Sequence, residues 1–561
     1  MKKNKSLLLL LTFVLAIGTL LSACGSKDNA SNGGNSATNN GASAEEVLAA
    51  DQTLRINLAS EPPTFDPGQA QDNQAHTVLN MMYEGLTAMD ENNQPVPAAA
   101  EKYSVDGTKY TFELRKDAKW SNGDPVTAND FLFAWERVLN PKTDPAPPYA
   151  YQLYYIANAQ EYNEGKITDF NEVGVKVVDD YTLEVNLTAP TPYFLGLTSF
   201  YTFFPVHSSV KDDAKWAVNK DKMIVNGPFT LTTWTKGQTI EVTKNDNYWD
   251  KDNIKLNKIN ISLVDSGATE LASYKNGELD RAGHPNGEIP TDQIPILKNE
   301  LKDELNIKSV ASVYYYQFNL TAKPFDNYKI RKAFAMSINR QDIVEKVTLG
   351  GQTPAYGYVP LNVAGADGEF RKEHKDDYFQ ENIDEAKKLL EEGMKEENYT
   401  KLPEIKLLYN TSESHKKIAL AVADMWKKNL GVDVQTENQE FGVFLETRRN
   451  LDYQVARSGW VSDYNDPMTF LDLWTSNSGN NDTGFKNEEF DKLIEDSKKE
   501  ADVKLRDENL AKAESILIKD NMAVMPIYYY TNVSVVKPYV KNIIVDYSGA
   551  VNYNHAYLIE H

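Results

Sequence analysis

Two spacings of apolar positions recur along this chain, one of period two and one close to 3.6. Thr53-Leu54-Arg55-Ile56-Asn57-Leu58 alternates and predicts a strand, which Glu61-Pro62-Pro63 stops. Tyr110-Thr111-Phe112-Glu113-Leu114-Arg115 predicts another. Thr127-Ala128-Asn129-Asp130 then opens a helix with Phe131, Trp135 and Val138 on its apolar face. Val175-Lys176-Val177 and Tyr181 to Leu187 read as a strand pair joined by Asp179-Asp180. Val313 to Asn319 reads as a strand that leads to a helix carrying Ile330, Phe334 and Ile338. The clearest unit comes later. Ile405-Lys406-Leu407-Leu408-Tyr409 is a strand, and Thr411 or Ser412 caps the next helix. Ile418, Ala421, Val422, Met425, Trp426 and Leu430 form its stripe, Gly431 ends it, and Val432-Asp433-Val434 resumes a strand. Strand–helix–strand is the signature of an α/β lobe.

The longest apolar run has neither period. It follows Lys2, Lys3 and Lys5, extends through Leu7 to Leu21, and closes on Leu21-Ser22-Ala23-Cys24-Gly25. A charged start, a short apolar segment and a small-residue cleavage site predict a signal peptide over residues 1–23. A cysteine just after that site resembles the bacterial lipobox, at which the signal is cut and the new terminal cysteine is lipidated. The expectation is lipid attachment at Cys24 and anchoring to the cell membrane on its extracytoplasmic side. The alternatives are a cleaved signal with an incidental cysteine, or an uncleaved anchor. The run is about fifteen residues, short of the roughly 20 that span a bilayer. Residues 24–50 are rich in Gly, Asn, Ser and Ala and read as a flexible tether, with a reach of roughly 25–30 Å.

Composition narrows the classes. Cys24 is the only cysteine, so no intramolecular disulfide, cysteine nucleophile or cysteine-rich zinc site is available. With 561 residues, 41% of them hydrophobic, stability comes from a large core in several domain-sized units. The net charge of −22 opposes binding to nucleic acid or to an anionic membrane surface. There is no G-x-S-x-G elbow, P-loop, H-E-x-x-H or G-x-G-x-x-G. The residues point to no enzyme, no cofactor and no metal. Thirty-one tyrosines suit wet ligand pockets, though most are structural.

Several blocks, in order, resemble the extracellular solute-binding proteins of family 5. They are Tyr83-Glu84-Gly85-Leu86 with Pro97-Ala98-Ala99-Ala100-Glu101, then Asp106 to Arg115 ending in Trp120 to Phe131. Asn226-Gly227-Pro228-Phe229 with Asn245-Asp246-Asn247-Tyr248-Trp249 follow. Phe318-Asn319, Pro324-Phe325, Arg331-Lys332-Ala333 and Asn339-Arg340 come next. The stretch from Tyr409-Asn410-Thr411-Ser412 through Gly459 to Pro467 is most similar to oligopeptide-binding members, which serve ATP-driven importers.

The resemblance implies an α/β, two-lobed periplasmic-binding-protein-like fold of class II type, with three domains and a central ligand cleft. Domain I would be discontinuous (51–89, 221–311 and 531–561), with domain II over 90–220 and domain III over 312–530. It also implies that oligopeptides bind extended between two closing lobes, and that the permease and ATPase subunits of an ABC importer are partners of a monomer. By resemblance, Asp463 pairs with the peptide α-ammonium. The backbone of Arg457-Ser458-Gly459-Trp460-Val461 pairs with the peptide, Tyr464 and Asn465 flank it, and Glu61, Pro62 and Pro63 form the opposing wall. His415, Arg448 and Arg457 match cationic positions toward the peptide's carboxyl end, and a further such position falls at Thr348. Tyr315, with Tyr314 and Tyr316 beside it, resembles a lining aromatic, although alternation would turn some of the three into core. Phe441 and Tyr151 are further lining candidates. Gln317 matches an acidic position, which implies a weaker preference for basic side chains. The rival readings are another solute on the same scaffold (a nickel chelate, heme or an oligosaccharide), or an exported peptidase or chaperone.

Overall fold

The computed structural model describes residues 46–213 and 215–561. The signal segment, Cys24 and the tether as far as residue 45 lie outside the described residues.

Among the described residues, three sheets have four or more strands. The first has the order Thr53–Leu58, Lys258–Leu263, Thr239–Lys244, Phe229–Thr235; its first pair is parallel and the others antiparallel. The second is an antiparallel sheet of Ala100–Asp106, Lys109–Leu114, Thr182–Asn186 and Val175–Asp179. The third runs Arg281–Gly283, Val524–Val536, Leu305–Phe318, Val455–Val461, Ile405–Asn410, Val434–Gln439, with Thr353–Pro354 pairing against Val524–Val536. Strands distant in sequence thus meet in each of these sheets.

Local chemistry explains the elements. Thr127 and Asp130 form a capping box that starts Ala128–Leu139, and Phe131, Trp135 and Val138 are buried beneath it. Ser412 accepts the backbone N–H of His415 at 3.3 Å to start Glu413–Leu430. Gly431 ends that helix in the left-handed region, at φ 71°. Ile405–Asn410 and Val434–Gln439 then pair in parallel, as the strand–helix–strand pattern requires. Ile418, Val422 and Trp426 are buried, whereas Ala421, Met425 and Leu430 are half-buried at the edge of the stripe. The next difference is at Tyr328–Met336, which stops before Ile338; that residue is buried two positions beyond the helix. Pairing also begins earlier than the tether boundary at residue 50 implies. Leu48 bridges Ile559, and the Ala49 N–H donates to the Leu558 carbonyl at 2.9 Å.

The central position of Leu305–Phe318 decides the fate of its tyrosines. Both long edges are paired, and every residue from Val310 to Phe318 is buried. A strand covered on both faces loses the alternation that would separate core from surface.

Candidate functional site

The site is built on the strand Val455–Val461. One edge pairs antiparallel with Leu305–Phe318 along its whole length, from Phe318↔Val455 to Ser312↔Val461. The other edge pairs with Ile405–Asn410 only at Leu407↔Val455 and Leu408↔Ala456. From Arg457 onward that edge has no neighbouring strand among the described residues. It borders a cavity of about 2130 Å³ whose wall includes Arg457, Ser458, Gly459, Trp460, Val461 and Asp463. An extended chain laid there would complete the ladder through main-chain hydrogen bonds. Gly459 keeps the floor low: a Cβ there would meet Arg457 Nη2 at 3.2 Å and the Tyr530 hydroxyl at 3.4 Å.

An ionisable side chain without a counter-charge stands at each end of this edge. Asp463 makes no ion pair with Lys, Arg or His among the described residues; its Oδ1 accepts from the Tyr149 hydroxyl at 3.5 Å. Burial pushes its carboxyl up to about 8, and the negative charge of Asp472 adds to this; polar groups of Gln152, Tyr149 and Tyr151 offset part of the shift. At the other end Arg457 donates to Asn410 Oδ1 at 3.2 Å and to the Tyr530 hydroxyl at 2.8 Å, and lies 4.9 Å from the Tyr314 ring centre. Its Nε is buried without a partner, as is Nδ1 of His415. Burial opposes the Arg457 charge, yet Tyr530, Tyr314 and Tyr528 raise its pKa further. Burial, and then the charge of Arg457, hold His415 well below its ordinary range. Six residue steps separate the two groups, at most roughly 20 Å along the chain.

Other expected residues divide into two groups. Glu61, Pro63, Tyr315, His415, Phe441 and Arg448 also reach the cavity wall. Glu61 turns its carboxylate to Trp234 Nε1 at 2.6 Å and to Lys236 at 3.3 Å. Arg448 already has a counter-charge: it donates to Asp482 Oδ2 at 2.8 Å and to Ser458 Oγ at 2.8 Å. Phe441 is 51% exposed, so it flanks the cavity rather than being enclosed by it. Thr348 reaches the wall as a neutral residue, its hydroxyl donating to Gln352 Oε1 at 2.8 Å.

The second group does not line this cavity. Pro62, Tyr151, Gln317, Tyr464 and Asn465 lie outside its wall. Gln317 is buried and donates to the Tyr453 hydroxyl at 2.8 Å and to the Asp482 carbonyl at 3.1 Å. Asn465 Oδ1 instead accepts the Ala364 N–H at 2.9 Å. Tyr464 stacks on Tyr193 with ring centres 4.8 Å apart, and its hydroxyl meets that of Tyr155 at 3.1 Å. Tyr151 lies close enough to Asp463 to affect its ionisation. Of the three consecutive tyrosines only Tyr315 reaches the wall; Tyr314 lies against Arg457.

Sequence reasoning missed Tyr149, Asn410, Tyr528 and Tyr530. A signal existed for the last two. Tyr528-Tyr529-Tyr530 repeats the composition of Tyr314-Tyr315-Tyr316, and the two strands pair at Tyr314↔Tyr528.

The profile of the bacterial extracellular solute-binding proteins, family 5 Middle, matches residues 94–482. The chain belongs to that family. Its members are substrate-binding receptors rather than enzymes. The chain is 44% identical to the oligopeptide-binding protein OppA of Bacillus subtilis over 566 residues, which cover 99% of this chain and all of the relative. Among solved structures, Listeria monocytogenes OppA bound to peptide aligns with TM-score 0.82 and 34% identity, covering 91% of this chain and 100% of that one. The unliganded open form of the murein tripeptide-binding protein MppA aligns with TM-score 0.67 and 32% identity, covering 92% and 99%. The fold is therefore that of the periplasmic binding proteins, in a mixed α/β chain.

Proposed function

We propose that this family 5 receptor binds oligopeptides in extended form along the free edge of Arg457–Val461 and delivers them to an ABC importer. The unpaired edge, with a lone carboxylate at one end and a lone guanidinium at the other, is the observation that carries this reading. A peptide supplies all three complements: a row of N–H and C=O groups, an ammonium and a carboxylate. Main-chain pairing is indifferent to side chains, so selectivity among sequences is broad. A separation of roughly 20 Å suits peptides of about four to six residues, at about 3.3 Å per residue. Neither a nickel chelate, a heme nor an oligosaccharide uses a sheet edge in this way, and no catalytic constellation accompanies the edge among the described residues.

In this reading residues 51–89, 221–311 and 531–561 form one domain, 90–220 a second and 312–530 a third, and the lobes close over the ligand. The better fit to a peptide-bound relative than to an open one supports a closed arrangement here. So do the contacts that tie these segments together, Glu288 with Ser414, Asp292 with Lys417 at 3.6 Å, and Tyr155 with Tyr464. Lipid on Cys24 would hold the receptor at the outer face of the cell membrane, beside the permease and its ATPases. No helix of the described residues is long and apolar enough to cross a membrane.

Calorimetry with a mixed library of peptides of about two to ten residues, a range set by strand geometry, tests the reading. Saturable binding is expected, and absence of heat for every pool would refute it. Cys24→Ala tests the anchor separately. The variant is expected in the medium rather than the membrane fraction, with unchanged peptide affinity. Retention in the membrane fraction would sink the lipid assignment.

A further inference from the structure

The turn that carries Asp463 to the cleft sends the next side chain elsewhere. The Asp463 N–H donates to Thr469 Oγ1 at 3.2 Å, and Ser462 Oγ donates to the Tyr464 carbonyl at 3.1 Å, which fixes the turn. Asp463 lines the cavity, whereas Tyr464 is 3% exposed and lies outside its wall. The Tyr464 ring stacks on Tyr193, with centres 4.8 Å apart and planes 16° from parallel. Its hydroxyl meets that of Tyr155 at 3.1 Å, and the Tyr155 ring stands edge-on to Tyr193 at 5.4 Å. Arg506, held by Asp466 through hydrogen bonds of 2.7 and 2.8 Å, lies 5.2 Å from the Tyr193 ring centre.

Tyr155 and Tyr193 belong to the segment 90–220, and Tyr464, Asp466 and Arg506 to 312–530. The cluster therefore joins two of the domains proposed above. None of its five residues lines the cavity, so none can touch a ligand held there. The contact of Asp292 with Lys417 is different in kind. Both side chains are exposed, and a solvated ion pair contributes little. A largely enclosed aromatic stack with a guanidinium close to it contributes more.

We propose that Tyr193, through its stack on Tyr464, is a positioning residue that favours the closed arrangement and so adds the same increment of affinity to every peptide. This rests on the peptide reading above, in which the lobes close over the ligand, and extends it. Parting the two segments separates the rings and returns them to water; closing them restores a contact that is blind to what the cleft contains. Asp463 and Tyr464 then divide the work of one turn. The first recognises a charged terminus, and the second responds only to closure.

The test is calorimetry at pH 7 on one tetrapeptide, its N-acetylated form and its C-terminal amide. Tyr193→Leu and Tyr464→Leu should each weaken all three by about tenfold, or about 1.4 kcal/mol. The double variant should fall well short of a hundredfold loss, because the stack is lost only once. Tyr193→Phe keeps the ring and should bind within about twofold of the wild type. In thermal melts without ligand the two leucine substitutions should act additively, because the rings do not touch in the open protein. Unchanged affinity in Tyr193→Leu, a loss that depends on which terminus is blocked, or a hundredfold loss in the double variant overturns the proposal. So does a loss in Tyr193→Phe as large as in Tyr193→Leu, or the same coupling in the ligand-free melts. Failure of the wild-type protein to bind any of the three peptides overturns the peptide reading itself.

Discussion

Asp463→Asn weakens peptides with a free amino terminus by about two-hundredfold to several-thousandfold, while N-acetylated peptides bind as they do to the wild-type protein. The magnitude follows from removing one partner of an enclosed charge pair, which costs about 3–5 kcal/mol. Asparagine keeps the size and the contact with Tyr149 but offers the ammonium no charge. Calorimetry on paired free and acetylated peptides checks the result, and equal losses for both would remove Asp463 from the anchor role. The same residue gives binding a pH dependence. Burial raises the ligand-free carboxyl to about 8, so at pH 7 it is mostly protonated. The complex needs the carboxylate, because the ammonium pairs only with the charged form. Binding at pH 7 therefore releases a proton, and affinity rises as pH increases from 6 toward 8. Above about 8 it falls again, as the α-amino group of the free peptide loses its own proton. Heats measured in buffers of different ionisation enthalpy should show release approaching one proton for the wild type and none for Asp463→Asn.

Arg457→Met weakens peptides with a free carboxyl terminus by about tenfold to a hundredfold, and their C-terminal amides far less. Hydrogen bonds to a charged group contribute about 1.5–3 kcal/mol, which sets that range. Arg448 does not compensate, because Asp482 already neutralises it. The ligand-free variant should melt no lower than the wild type. The guanidinium is buried without a carboxylate and with Nε unpaired, and replacing such a group by an apolar side chain of similar length relieves a desolvation cost. Thermal melts with and without peptide separate the two effects. A variant that melts several degrees lower while binding both peptide forms equally would make Arg457 a structural residue.

Local patterns were readable where one interaction dominates. Thr53–Leu58, the capped helix at Thr127 and the unit from Ile405 to Val434 follow from alternation, a side-chain cap and a terminal glycine. The family blocks supplied the fold and part of the cavity wall, including Arg457, Gly459, Trp460, Val461 and Asp463. What the sequence did not disclose depends on neighbours distant along the chain. Val455–Val461 reads as an apolar strand whether or not both edges are paired, and only its assembly with Ile405–Asn410 leaves one edge bare. Gln317 and Arg448 look available in the sequence because their partners, Tyr453 and Asp482, lie 136 and 34 residues away. Asn465 is committed for the same reason, to a backbone N–H 101 residues distant. Tyr314 and Tyr315 could not be separated by alternation, since a strand in the middle of a sheet is covered on both faces.

A bare strand edge is ordinarily a hazard. Outside a cavity it recruits other chains and begins aggregation, which proteins avoid by shortening, charging or covering their edges. In the proposed reading the cover is the opposing lobe, and it acts as a sieve. A strand belonging to a folded protein carries a sheet beside it and loops at both ends, and would not fit a cleft of about 2130 Å³. Only a short chain with two loose ends fits. In that reading, lobe closure would turn the property that makes edges dangerous, their readiness to pair with any backbone, into a test for whether a polypeptide has already been degraded.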